Sequence, residues 1–174
     1  PAPIDRAGLE RTWRSVWASV GEIEKRTAAL PASQRVEITL CTLDGPGCVA
    51  RDAGPLQDGE SYRVGASASS GRIVISVVSA QGAVRQVFPV DAAEEASGTV
   101  VAEATARWQY DEGRVVAITL PSGIVLPEVA RARDAEGKVA DPVAYMKELE
   151  AAALQPSATA GVIPLAVRQK QAVK

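Results

Sequence analysis

At Arg35 the spacing of apolar residues along this chain changes from the three-to-four of a helix to the two of a strand, and that switch sets the architecture. From Arg35 to about Arg133, short β-branched runs alternate with turn dipeptides. The pattern predicts strands near 35–43, 48–51, 60–68, 72–80, 83–90, 99–110 and 114–120, with a weaker one at 128–133. Ser70-Gly71, Gln81-Gly82 and Glu112-Gly113 supply the glycine that tight turns need at positive φ, so successive strands are expected to join as antiparallel hairpins. In Ile73-Val74-Ile75-Ser76-Val77-Val78 almost every position is apolar, the pattern of a central strand covered on both faces. Small and acidic residues from Asp91 to Gly98 interrupt the strands and predict a mobile loop or a single helical turn.

Two helices flank this region. Before it, Leu9, Trp13, Val16, Val20, Ile23 and Leu30 form an amphipathic stripe, with Trp17 one turn beyond Trp13. Asp5 is the expected cap and Pro31 the stop. Such a stripe must cover a surface, either this chain's own sheet or a second chain. Tryptophan is enriched at interface anchors, so Trp13, Trp17 and Val20 are the docking candidates. After the strands, Asp141-Pro142 opens a second helix through Leu154, with Val143, Met146, Leu149 and Ala153 on its apolar face. Gly161 to Val167 reads as a last strand, and Pro164 restricts it to an edge or a bulge.

Apolar residues make up 47% of the 174, enough for one domain with a proper core, but aromatics are only 4%, so that core must be aliphatic. The expected fold is α+β: a mainly antiparallel β-sandwich or barrel with an N-terminal amphipathic helix and a C-terminal helix over the sheet. We divide the chain into an N-terminal helix and linker (1–34), a β-rich domain (35–167) that includes the helix at 141–154, and a short, basic, solvated tail (168–174).

Cys41 and Cys48 flank a Gly/Pro turn centred on Asp44-Gly45, and a symmetric hairpin about that centre would set them opposite each other as a cross-strand disulfide. A disulfide points to a periplasmic or extracellular location. The first residue is Pro1 rather than Met, compatible with a processed end from which a signal peptide or anchor has been removed. No apolar run is long enough for a transmembrane segment.

Several chemistries are excluded by residue type. Without histidine there is no Ser-His or Cys-His dyad, and two thiols alone do not make a zinc site. No Ser-x-x-Lys, phosphate loop, dinucleotide fingerprint or calcium loop is present. No cofactor or metal is expected. The net charge of -2, with both signs interspersed, argues against nucleic acid as a partner. Asp111 and Glu112 beside Trp108 and Tyr110 superficially resemble a sugar subsite, but Asp111-Glu112-Gly113 reads more simply as a turn. Trp108 and Tyr110, two apart on one strand face with Arg107 and Arg114 nearby, suit protein recognition as well as core packing.

The series Tyr62-Arg63-Val64-Gly65, then Arg72 through Phe88-Pro89, then Gly113-Arg114-Val115-Val116-Ala117-Ile118 resembles a bacterial family of domains of unknown function. In that family a Tyr-x-x-Gly entry, a glycine turn, a Phe-Pro exit and a later Val-x-Ala-Ile strand precede a helix and a closing strand, here 141–154 and 161–167. The resemblance spans residues 60 to 167, with Val90 where the family carries a polar residue. It implies a β-sandwich-like accessory or sensory module, often exported or attached to caspase-like peptidases or kinases. It carries over no catalytic residue.

The function expected from all this is non-catalytic binding of protein partners, membrane-associated ones included, as an accessory subunit of a cell-envelope assembly. The docking elements would be the Trp13/Trp17 helix, with an edge strand or the Trp108/Tyr110 face as a second surface. The alternatives are a small carboxylate-dependent hydrolase and a carrier holding a lipid or small ligand inside the sandwich.

Overall fold

A computed structural model describes residues 5–52, 54–89, 97–108, 113–120, 134 and 137–169. The chain runs α1 (Arg6–Ala29), a 3-10 turn (Ala32–Gln34), β1 (Glu37–Cys41), β2 (Leu56–Gln57), β3 (Ser61–Ser79), β4 (Val84–Phe88), β5 (Ser97–Thr105), β6 (Gly113–Leu120), α2 (Pro142–Ala153), β7 (Ala160–Leu165) and β8 (Val167–Arg168). The expected α+β class is what the fold shows: a six-stranded antiparallel sheet curled into a half-barrel, with two helices.

β3 organises the sheet. Its first half pairs with β1 and β5, its second half with β4 and β6, and β7 extends the sheet beyond β6. This corrects the expected Ser70-Gly71 hairpin. The two strands read there are one, and Gly71, at φ +87°, bends it where a Cβ would lie 2.9 Å from the Thr119 side chain. The hairpin at Gln81-Gly82 does form, joining β3 to β4 with Val78 opposite Val84. The hairpin expected at Glu112-Gly113 does not join neighbouring strands. β5 and β6 both pair with β3 at Arg72, which places them on its opposite edges. Gly113 is needed for another reason: a Cβ there would strike the Val78 carbonyl oxygen across the ladder. The weak strand at 128–133 and most of the 91–98 segment lie outside the described residues; Ser97 and Gly98 begin β5.

Period two delivers alternate residues to two cores. Ile73, Ile75, Val77, Val115 and Ala117 fill the concave side with Tyr62, Val64 and Phe88. Val74, Val78, Val116, Ile118 and Leu120 meet the helices on the other side. The apolar run 73–78 is central and covered on both faces, as its composition predicts. Each such Val or Ile contributes about 1.5–3 kcal/mol on burial, before the opposing chain entropy.

Both helices are capped as expected, by Asp5 on Gly8 N–H (2.9 Å) and Asp141 on Ala144 N–H (3.0 Å). Val16, Val20 and Ile23 of α1 are fully buried against α2 and the sheet. From α2, Tyr145, Met146, Leu149, Ala152 and Ala153 face inward, whereas Val143 is only partly buried. Tyr145, absent from the predicted face, is the polar centre of this layer. Its hydroxyl lies 2.6 Å from Ser76 Oγ and donates to Gln86 Oε1 at 2.8 Å, and Gln86 Nε2 donates to the Pro89 carbonyl. In a layer built mainly of aliphatic side chains, that chain of hydrogen bonds fixes how α2 sits on the sheet.

Candidate functional site

Among the described residues, β1 and β7 flank a seam at one side of the half-barrel. Hydrogen bonds on either side of an antiparallel strand alternate, so every second residue of β1 turns its N–H and C=O away from β3. Val36 N–H reaches across to Ala160 O (3.0 Å), and Leu40 O accepts from Arg51 N–H (3.0 Å). Ile38, between them, presents both its backbone groups to the seam by the same alternation. The facing edge obeys the same rule. Thr119 N–H bonds Thr159 O, so Ala160, Val162 and Pro164 point outward from β6. Pro164 therefore occupies a position whose missing N–H would have faced the open side, which is why a proline is tolerated in an otherwise regular strand. The expectation of an edge strand at Pro164 is met.

Between these edges lies a groove of about 560 Å³, bounded by Ile38 and Leu40 on one side, Pro164 and Ala166 on the other, and Ala50 and Pro55 across its end. Ile38 and Leu40, which line it, also pack against the concave core and give the groove its apolar floor. The groove ends where Leu56 N–H bonds Ala166 O (2.9 Å) and the short parallel pair β2–β8 begins. A smaller depression of about 300 Å³ on the helix side of β7 is lined by Glu24, Thr27, Arg114, Val162 and Pro164.

Cys41 and Cys48 form a disulfide beside the groove, with Cα atoms 5.1 Å apart. The bond is as expected, but the register around it is not. Cys41 pairs with Ala50 rather than with Cys48, and Thr42 N–H bonds Val49 O (2.8 Å). The hairpin is thus centred later than Asp44-Gly45, the predicted strand 48–51 shrinks to one bridge, and Cys48 lies in the loop. The Arg63 guanidinium closes that loop from beneath, donating to Gly45 O at 2.7 Å and Gly47 O at 3.5 Å. Gly65 is the seat of the disulfide: a Cβ there would come within 2.7 Å of Cys48 Sγ. Arg51 also donates to Gly54 O and pairs with Glu60 at 3.5 Å, fixing the groove's end wall.

The aromatic docking candidates are not brought together. Trp17 is half-buried, its Nε1–H donating to Ser79 O (3.0 Å) and its ring 5.5 Å from the Arg114 guanidinium, which also bonds Glu24. The Trp13 backbone rests on Gly82 of the same β3–β4 turn, while 45% of Trp13 and 62% of Leu9 remain exposed. The helix therefore packs on its own sheet. Val20, named as a docking residue, is a correction: it is wholly buried in this chain's core and has no surface to offer a partner. Trp108 lies past the end of β5 rather than within a strand, its backbone N–H bonded to Asp58 Oδ1 (3.0 Å), at the opposite end of β3 from the helix tryptophans. Tyr110, Asp111 and Glu112 lie outside the described residues.

Among the described residues, no group of three or more His, Cys, Asp or Glu side chains could hold a metal ion. No described helix is long and apolar enough to cross a membrane. The concave interior is occupied by side chains, among them Tyr62, Ile73, Ile75 and Phe88. Ile38, Arg51 and Arg63 carried no sequence signal as site residues; only Pro164, an imino acid inside an apolar run, marked one edge of the seam. Comparison with known proteins finds no matching family model, no matching curated protein and no matching solved structure.

Proposed function

We propose that this protein is a non-catalytic binding module that receives an extended segment of a partner protein in the seam between β1 and β7. The single observation behind this reading is the pair of facing strand edges, one presenting Ile38, the other Pro164, across a groove of about 560 Å³ with an apolar floor. An extended chain is the ligand that complements such edges, because its main chain supplies donors and acceptors at strand spacing while alternate side chains meet the floor. The disulfide supports placing the module in an oxidising periplasmic or extracellular compartment, as an accessory subunit of an envelope assembly. Leu9 and Trp13, exposed one turn apart on α1, offer a second contact surface.

The test is a titration of the ¹⁵N-labelled chain with a capped alternating peptide, acetyl-Thr-Val-Thr-Val-Thr-amide, followed by amide shifts. Shifts gathering at Ile38, Val162 and Ala166 are expected. An Ile38→Pro variant should lose them while keeping the β1–β3 ladder, whose bonds come from Glu37, Thr39 and Cys41. Shifts clustered at Leu9 and Trp13, at Trp108, or nowhere would defeat the seam reading.

A further inference from the structure

We propose that the Cys41–Cys48 disulfide is a redox latch that holds the end wall of the seam in place, so that reduction by a dithiol opens the wall without unfolding the protein. Its consequence for ligand binding rests on the seam reading above; its effect on the loop does not.

Four observations carry it. Ala50, Arg51, Asp52, Gly54 and Pro55 form half of the groove's lining, and all follow directly from the disulfide loop. That loop has little else to hold it. Leu43 and Val49 are 42% and 58% exposed, and no described residue from 42 to 55 belongs to either core cluster. Among the described residues its ties include the Thr42–Val49 and Leu40–Arg51 backbone bonds, the Cys41–Ala50 bridge, the Arg51–Gly54 bond, the Arg63 contacts and the Arg51–Glu60 pair. Ordering such a stretch costs backbone entropy, and the cross-link offsets part of that cost by restricting the loop in the unfolded chain.

The two sulfurs are also unequally placed. Cys41 is 1% exposed, whereas Cys48 is only partly buried. Access therefore directs an incoming thiolate to Cys48 Sγ. The S–S bond breaks with Cys41 leaving as the thiolate, which takes a proton from water. The second thiol of the reductant then displaces Cys48 from the mixed disulfide. The dithiol ends as its own disulfide, and the protein gains two electrons and two protons. Cys41 Sγ lies 3.4 Å from the Thr39 carbonyl oxygen, so the new thiol has an acceptor at once. Cys48 is freed into the loop, and the Gly65 seat empties.

Hydrogen exchange and peptide titration on the full ¹⁵N-labelled chain, with and without dithiothreitol, test this. Reduction should speed exchange at the Thr42 and Arg51 amides by about tenfold or more and leave Ile75 and Val116 unchanged. Affinity for acetyl-Thr-Val-Thr-Val-Thr-amide at the seam should fall by a similar factor. A Cys48→Ser variant should match the reduced protein without any reductant. Unchanged protection of Thr42 and Arg51 after reduction would overturn the latch, and equal peptide binding by both forms would overturn its control of the seam. A peptide that binds neither form would defeat the seam reading and the gating that depends on it, while the exchange at Thr42 and Arg51 still decides the latch.

Discussion

Tyr145 shows how much one polar group can determine in an aliphatic layer. It is fully buried, and its hydroxyl is shared between Ser76 Oγ and Gln86 Oε1. Tyr145→Phe leaves two buried polar atoms short of a partner and should destabilise the fold by about 1–3 kcal/mol, read from the urea midpoint. The tyrosine was missed in the sequence because nothing in a helical stripe distinguishes a tyrosine that points inward from one that snorkels outward. Its partners lie on β3 and β4, more than fifty positions away in the chain. In the sequence Gly65 is simply the glycine of a Tyr-x-x-Gly pattern, and its reason, a disulfide resting on the strand, also comes from a distant residue. The cysteine pair itself was legible, since a short loop holds both thiols within reach whichever register its strands adopt.

α1 separates two roles along one stripe. Its middle, Val16, Val20 and Ile23, is core, while Leu9 and Trp13 near its start project beyond the sheet. Val20→Ala should therefore cost about 2 kcal/mol of stability, whereas Leu9→Ala should stay within about 0.5 kcal/mol of the parent in the same denaturant titration. Periodicity found the helix, its cap and its stop, but it could not say where the stripe ceases to have a sheet beneath it. Edge strand β7 carries the complementary lesson. Pro164 removes the one N–H that would otherwise complete a row of outward donors with Ala160 and Val162. Pro164→Val should restore that donor and raise self-association, seen by light scattering at rising protein concentration, with the monomer's helical and strand content unchanged. Turn chemistry was the least transferable signal at this scale: one glycine dipeptide made a hairpin, one bent a continuous strand, and one allowed a close backbone approach.

At the scale of the molecule, stability is graded outward from β3. Its second half is paired on both edges and covered on both faces, whereas, among the described residues, β1 and β7 end the strand order and β2–β8 is a two-residue pair. Native-state hydrogen exchange should rank Ile75, Val77 and Val116 slowest and the β2–β8 amides among the fastest, with β1 between them. A uniform rate across the sheet would contradict the grading. The sequence by itself determined the class of fold, the two helices and their caps, the central buried run, the disulfide partners and the edge position of Pro164. All of these follow from local rules: the period of apolar residues, the donors a helix end lacks, the N–H a proline lacks, and the short reach between two nearby thiols. Tertiary structure alone decided that residues 61–79 are one bent strand, that β5 and β6 lie on opposite edges of it, that α1 packs on its own sheet, and that a seam remains between β1 and β7. Those outcomes depend on which distant strands meet β3. Strand pairing is set by the summed fit of both faces and both edges, and no window of neighbouring residues contains that sum.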